Sequence, residues 1–136
     1  MEPYSRNVFY YETDCMAIVH NSNYLRIFEE ARIDHMKQSG APYDVMEERG
    51  IKIPQIEAHV KYKNQMKYGD IFEVHVKLEK ITGARVRYSY EITVPARNAS
   101  IAEGWTEHCF VDKKLNIPVN LKRKLPDMYE AMETHI

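Results

Sequence analysis

Residues 11–25, YETDCMAIVHNSNYL, decide how this chain folds and where its chemistry lies. An aromatic, strand-like segment leads to Asp14, a short loop follows, and a helix opens near Asn21. The first N–H groups of a helix have no intrahelical partners, and they attract negative charge. The stretch therefore predicts a carboxylate beside a potential oxyanion site, a combination that suits acyl chemistry.

The helix that opens here is predicted to cover residues 22–39. Apolar residues recur along it at helical spacing, namely Leu25, Ile27, Phe28, Ala31, Ile33 and Met36. Asn21, Ser22 and Asn23 are all residue types that cap helix starts, and Gly40 with Pro42 ends the helix. The wide apolar surface predicts a well-buried helix.

Strand patterns flank this helix. Residues 5–13 contain Val8, Phe9, Tyr10 and Tyr11, residue types that are enriched in strands, and they are predicted to form a first strand. Residues 43–49 are predicted to form a short helical turn. After Pro54 the apolar period becomes two, which predicts strands over residues 56–62, 72–78, 86–94 and 99–112. Short links between strands favour antiparallel pairing, and a last helix is predicted from about Pro126. The expected fold is α+β, a five-stranded antiparallel sheet wrapped around a long central helix.

Composition narrows the class of protein. The 136 residues suggest a single domain over residues 1–136, and 44% hydrophobic residues suffice for a core. A net charge of −1 argues against a nucleic-acid binder. No apolar run is long enough to span a membrane, and the first residues lack a signal-peptide core. Cys15 and Cys109 have no metal-ligand spacing, so a reduced, cytoplasmic protein without a metal is expected.

The chain resembles the 4-hydroxybenzoyl-CoA thioesterase family of the hotdog fold, in particular its bacterial acyl-CoA thioesterases. The residues that carry the resemblance are Tyr11-x-Thr13-Asp14, Ile18-Val19-His20, Asn23-Tyr24, Phe28-Glu29-x-Ala31-Arg32, Glu57-Ala58-x-Val60-x-Tyr62, Tyr68-Gly69-Asp70 and Gly104-x-Thr106-x-His108-x-Phe110-Val111-Asp112. The resemblance implies hydrolysis of acyl-CoA without a metal or organic cofactor. It also implies homodimers or tetramers, with acyl-CoA bound between subunits.

Three residues are the candidate catalytic groups. Asp14 would attack the thioester carbonyl or activate the water that does, whereas its ordinary role would be to cap a loop. The backbone N–H of Asn21 is the candidate oxyanion donor, and the ordinary alternative is helix capping by the Asn21 or Ser22 side chain. His20 would hold substrate or water, or simply fill the loop. The thiol of Cys15 is a less favoured nucleophile.

Five further residues are candidates for substrate binding. Tyr24 belongs to the family-like run, and Glu29 would position water or simply pair with Arg32 or Arg26. The cations expected to meet the phosphates of coenzyme A are Lys61, Arg85 and Arg87, with residues 122–124 as an alternative. A metal site built from His59, His75 and His108 is a minor hypothesis.

Two positions depart from the family pattern. Ala17 stands where the family usually has glycine, which predicts a loop without a positive φ there or a slightly altered loop. Asn21 stands where a histidine or tyrosine often follows, so a side-chain acid or base is lost while the backbone N–H remains. Rival functions are a hydratase or dehydratase of acyl thioesters and a non-catalytic acyl-CoA-binding protein.

Overall fold

The chain forms an antiparallel sheet wrapped around one long helix, and the computed structural model describes all 136 residues. Its strands are β1 (Tyr4–Asn7), β2 (Ile51–Lys52), β3 (Gln55–Tyr62), β4 (Ile71–Ile81), β5 (Arg85–Val94), β6 (Ala99–Cys109) and β7 (Val111–Asp112). Its helices are α1 (Asn23–Gln38), α2 (Tyr43–Glu48), α3 (Leu121–Lys124) and α4 (Pro126–Glu133). Five strands form the main sheet in the order β1-β4-β5-β6-β3, and β2 pairs with β7. The predicted architecture is confirmed.

Close packing from two sides, by β3 and by α1, explains why a glycine lies in the middle of β6. Phe28 of α1 stacks on Tyr90 of β5, with ring centroids 4.4 Å apart and planes 6° from parallel. A Cβ atom on Gly104 would collide with the carbonyl of His59 and would lie 2.9 Å from the Phe28 ring. Only glycine therefore fits here, chiefly because the backbone of β3 leaves no room for a side chain and also because the Phe28 ring packs against this position.

The first predicted strand, residues 5–13, is shorter than expected. Pairing with β4 covers Tyr4–Asn7, and Tyr10–Glu12 forms a 3₁₀ turn instead. The Glu12 carboxylate accepts a hydrogen bond of 2.8 Å from the N–H of Phe9, which turns the chain away from the sheet. Tyr10 and Tyr11 are 75% and 78% exposed, so the aromatic run does not mark a core strand.

The other predicted elements agree more closely with the structure. The long helix and the C-terminal helix lie within two residues of their predicted bounds. The last strand is divided, because the chain leaves the main sheet after Cys109 and pairs again as β7 with β2. None of the helices has the length and apolar character needed to cross a membrane.

One edge of the main sheet is long and open. β3 pairs only with β6, and seven of its eight residues are exposed. The N–H and C=O groups along its outer side have no partner strand, and such an edge is a template for pairing with another chain. The opposite edge, β1, is only four residues long.

Candidate active site

Asp14 lies in a tight turn that the protein holds by backbone pairing. Thr13 pairs with Val19 across the turn, and the N–H of Asp14 donates a 2.9 Å hydrogen bond to the carbonyl of Ile18. Ala17 closes the turn with a φ of +64°. The prediction of a loop without a positive φ at Ala17 is therefore wrong, because this reversal needs a left-handed residue whether or not that residue is glycine.

The Asp14 carboxylate is half-buried and only partly engaged. One oxygen, Oδ1, accepts a 2.8 Å hydrogen bond from the N–H of Met16, which is the loop-capping role expected of an ordinary aspartate. The other oxygen has no hydrogen-bond partner within the chain. Asp14 can therefore cap the loop through Oδ1 and take part in chemistry through its other oxygen. Cys15 beside it is exposed.

Just before α1, the backbone N–H group of Asn21 is free. The residue that caps the helix is Ser22, but its side chain makes no capping hydrogen bond. Nδ1 of His20 accepts a 3.1 Å hydrogen bond from the N–H of Ser22 instead. The N–H of Asn21, the residue between them, donates no hydrogen bond within the chain. Because Nδ1 of His20 is an acceptor, the neutral ring carries its proton on Nε2.

Glu12 fastens the Asp14 turn to the helix start. Its backbone carbonyl accepts hydrogen bonds of 2.9 Å from both the N–H of His20 and Nδ2 of Asn23. Its carboxylate makes two hydrogen bonds of 2.8 Å with the guanidinium of Arg6, which also binds Glu30 of α1 at 2.8 Å. Burial raises the pKa of Glu12, but the hydrogen bonds from Arg6 and Phe9 outweigh it and lower the pKa below its ordinary value.

Sequence analysis did not identify Arg6, Glu12 or Asn23 as parts of the site. Arg6 lies on the first strand and Glu30 lies 24 residues later, so no local spacing indicates that they meet. Asn23 is a helix-capping type and part of the family-like run, but neither pattern predicts the contact that the structure shows between its amide and the carbonyl of Glu12.

The proposed substrate-binding residues lie in two separate regions. Tyr24 is buried against Tyr62, and burial raises its pKa to about 12. The exposed Glu29 carboxylate lies 4.0 Å from Nη2 of Arg32 on the same helix. The structure places the remaining cations, Lys61, Arg85 and Arg87, on the face of the sheet that points away from α1.

On the outer sheet face the two arginines lie beside one acid and an aromatic ring. Arg85 and Arg87 lie 3.5 Å and 3.6 Å from the carboxylate of Glu107. The Arg87 guanidinium also lies 3.8 Å from the centre of the Trp105 ring. His59 and His75 are exposed, whereas His108 is buried beneath α1. No group of three or more His, Cys, Asp or Glu side chains is arranged to hold a metal ion.

Comparisons with known proteins identify the family of this chain. Residues 8–133 match the model of the thioesterase-like superfamily. A candidate esterase of Aquifex aeolicus is 37% identical, over 91% of this chain and 97% of its own length. A candidate acyl-CoA thioesterase of Bacillus subtilis is 35% identical, over 93% of this chain and 91% of its own length.

A solved structure shows the same fold. The 1,4-dihydroxy-2-naphthoyl-CoA thioesterase of Staphylococcus aureus superposes with a TM-score of 0.93 at 31% identity, over 98% of this chain and 89% of its own. The sheet that wraps α1 is the hotdog fold. With a family match over nearly its whole length, this chain belongs to the thioesterase-like superfamily.

Proposed function

We propose that this protein hydrolyses acyl-CoA thioesters to a free acid and coenzyme A. The observation that carries the proposal is the free N–H of Asn21 at the start of α1, reached through a hairpin whose turn carries the Asp14 carboxylate. Membership of the superfamily and the acyl-CoA thioesterases among the relatives support the same reaction.

In this mechanism the thioester carbonyl oxygen accepts a hydrogen bond from the N–H of Asn21. The partial positive charge of the helix start stabilises the oxyanion that forms when the carbonyl carbon is attacked. Asp14 supplies the attack through its free oxygen, either directly or by taking a proton from water. The C–S bond then breaks and the thiolate of coenzyme A leaves. After direct attack the product is a mixed anhydride of Asp14, which water hydrolyses to the free acid and the Asp14 carboxylate. In the water route the free acid forms at once, and the proton held by Asp14 passes to the thiolate. The Nε2–H of His20 holds the attacking water or the carbonyl from the exposed side.

The active unit in this proposal is a dimer, formed by pairing of the β3 edges of two chains. The exposed edge is eight residues long, enough for a continuous antiparallel sheet across the two subunits. Tyr62 at the end of β3 donates a 3.4 Å hydrogen bond to the carbonyl of Asn21, so this edge borders the helix start. Acyl-CoA would lie between subunits. Light scattering that showed only monomers at micromolar concentration would exclude this arrangement.

A thiol-release assay with a panel of acyl-CoAs tests the activity. We expect wild-type protein to release coenzyme A from at least one class of acyl-CoA, with a much lower rate for Asp14→Asn. Formation of a hydrated or dehydrated thioester without thiol release would point to the rival lyase reaction. Tight acyl-CoA binding without turnover by the wild type would point to a binding protein.

A further inference from the structure

A cavity of about 480 Å³ lies beside α1, and nothing in the proposed mechanism uses it so far. One wall is a stripe of α1 that begins one helical turn after Asn21, and the other is the segment that leads into β3. The residues of the stripe are Leu25, Arg26, Glu29 and Arg32. Tyr43, Ile53 and Pro54 supply apolar surface, so the cavity can hold an organic group as well as a charge.

The charges that line this cavity are unbalanced. Arg26, Arg32 and Lys52 contribute three cations, and Glu29 is the one carboxylate in the lining. Neither Arg26 nor Lys52 has a carboxylate within 4.0 Å, and Arg32 reaches Glu29 only at that distance. Glu29 itself is 64% exposed, so water weakens its hold on Arg32.

Arg32 is the cation with the strongest need of an anion. Its side chain is 7% exposed, and a buried guanidinium is costly unless it is well paired. Its Nη1 donates a 3.2 Å hydrogen bond to Nε2 of His108, which offers no negative charge. Burial, together with the charge of Arg32, lowers the pKa of His108 to about 3, so this ring is neutral at physiological pH.

The cavity and the candidate active site lie along the same two elements, α1 and β3. Helical residues rise about 1.5 Å each, so Glu29 lies about 12 Å beyond Asn21 along the axis. β3 runs beside the same stretch, since Gln55 at its start lines the cavity and Tyr62 at its end contacts Asn21. The Arg32 side chain leans back toward the helix start, as helical side chains do. An acyl group whose carbonyl meets Asn21 can extend toward this cavity.

We propose that the cavity is the acyl subsite and that it selects acyl groups carrying a second, anionic group at their far end. This inference rests on the proposed thioesterase function and adds its substrate class. A carboxylate in the cavity replaces Glu29 as the partner of Arg32 and also meets Arg26 and Lys52. A neutral acyl group of equal length has no terminal carboxylate to pair with Arg26, Arg32 and Lys52.

Matched substrates test the selection. Suberyl-CoA and octanoyl-CoA have eight-carbon acyl chains and differ in one terminal carboxylate. We expect wild-type kcat/KM to favour suberyl-CoA by about tenfold. Arg26→Gln and Lys52→Gln should each lower that ratio several-fold, and Glu29→Gln should raise it because the competing carboxylate is gone. Lys37→Gln, which removes an exposed cation from the last turn of α1, is the matched control and should leave the ratio unchanged.

A binding measurement tests the selection without turnover. It also leaves the buried Arg32 in place, because replacing that residue can impair folding. In the Asp14→Asn protein the Kd for suberyl-CoA should be about tenfold lower than the Kd for octanoyl-CoA. Adding Lys52→Gln to this protein should reduce that ratio of Kd values. Hydrolysis of both substrates with no preference for suberyl-CoA would overturn the inference and leave the thioesterase proposal intact. Equal Kd values, or no binding of either substrate, would overturn it as well. Binding selectivity without hydrolysis of any acyl-CoA by wild-type protein would instead remove the proposed function.

Discussion

Nδ2 of Asn23 donates a 2.9 Å hydrogen bond to the backbone carbonyl of Glu12, and this contact joins the first residue of α1 to the chain that leads into Asp14. Asn23 is buried, so no water can replace the bond at low cost. The distance between the Asp14 carboxylate and the N–H of Asn21 therefore depends on a residue that need not touch substrate.

Asn23→Asp should lower kcat by about tenfold or more, because the new carboxylate cannot donate and is repelled by the Glu12 carbonyl. KM should change less, since the binding surfaces remain. Asn64 makes a similar bond, from its Nδ2 to the carbonyl of Ser100 at 2.7 Å, which joins segments outside both α1 and the Asp14 turn. Asn64→Asp is thus the matched control. Equal losses of kcat in the two variants would show that Asn23 has no special positioning role.

Asp14→Asn should reduce kcat by about a hundredfold or more while the fold is kept. The asparagine still has an oxygen to accept the hydrogen bond from Met16, so the turn is preserved and the chemistry alone is removed. Asp112 provides the control, since its Oδ1 accepts hydrogen bonds from the N–H groups of Lys114 and Leu115 in another turn. Asp112→Asn should hydrolyse acyl-CoA normally. A near wild-type rate for Asp14→Asn would refute its assignment.

Ala17→Gly should stabilise the protein by about 0.5–1 kcal/mol, because an L-residue with a left-handed backbone is strained and glycine is not. Urea unfolding of the two proteins measures the difference. Ala84 lies exposed in another turn without a positive φ, so Ala84→Gly should give no such gain. A loss of stability in Ala17→Gly comparable to that in Ala84→Gly would mean that the turn is not strained.

His108 should make the protein less stable in mild acid. Its pKa is about 3 in the folded protein against 6.5 for an ordinary histidine, so the unfolded chain alone gains a proton between these values. The free energy of unfolding is therefore unaffected by this group above pH 6.5 and decreases as the pH falls from 6.5 toward 3. The decrease is about 2 kcal/mol at pH 5. Urea unfolding gives the free energy of unfolding at pH 7.5 and at pH 5. The decrease between the two pH values should be smaller for His108→Gln than for the wild type. The exposed His59 serves as control, and His59→Gln should keep the wild-type difference.

Binding of the coenzyme A phosphates should depend on a local basic patch, since the chain as a whole has a net charge of −1. Lys61→Gln, Arg85→Gln or Arg87→Gln should raise KM with less effect on kcat, because such contacts hold ground and transition states alike. Salt should also raise KM, since the Debye length is about 8 Å at physiological ionic strength. Glu107 already lies near both arginines, and it competes with the phosphates for them. A normal KM in these variants with a raised KM for Lys122→Gln or Arg123→Gln would move the patch to α3.

The sequence by itself determined the order of the main elements and the stretch of chain in which the chemistry is proposed to lie. Strands and helices are local, and their side-chain periods of about 2 and 3.6 residues are visible in a short window of sequence. The family-like run from Tyr11 to Arg32 likewise made Asp14 and the N–H of Asn21 the catalytic candidates without any knowledge of contacts. The extent of the first strand escaped this reading, because the Arg6–Glu12 pair that turns the chain is not a periodic pattern.

Only the tertiary structure decided which distant side chains meet. Arg6 and Glu30, or Arg32 and His108, are brought together by the wrapping of the sheet around α1, and their separations of 24 and 76 residues leave no local signal. The left-handed backbone at Ala17 is also held by a tertiary contact, because the next residue, Ile18, pairs with the distant Lys67 and fixes a turn that alanine alone would not choose. The unbalanced charge of the cavity beside α1 is decided in the same way, because the segments that line the cavity become neighbours only when the chain has folded.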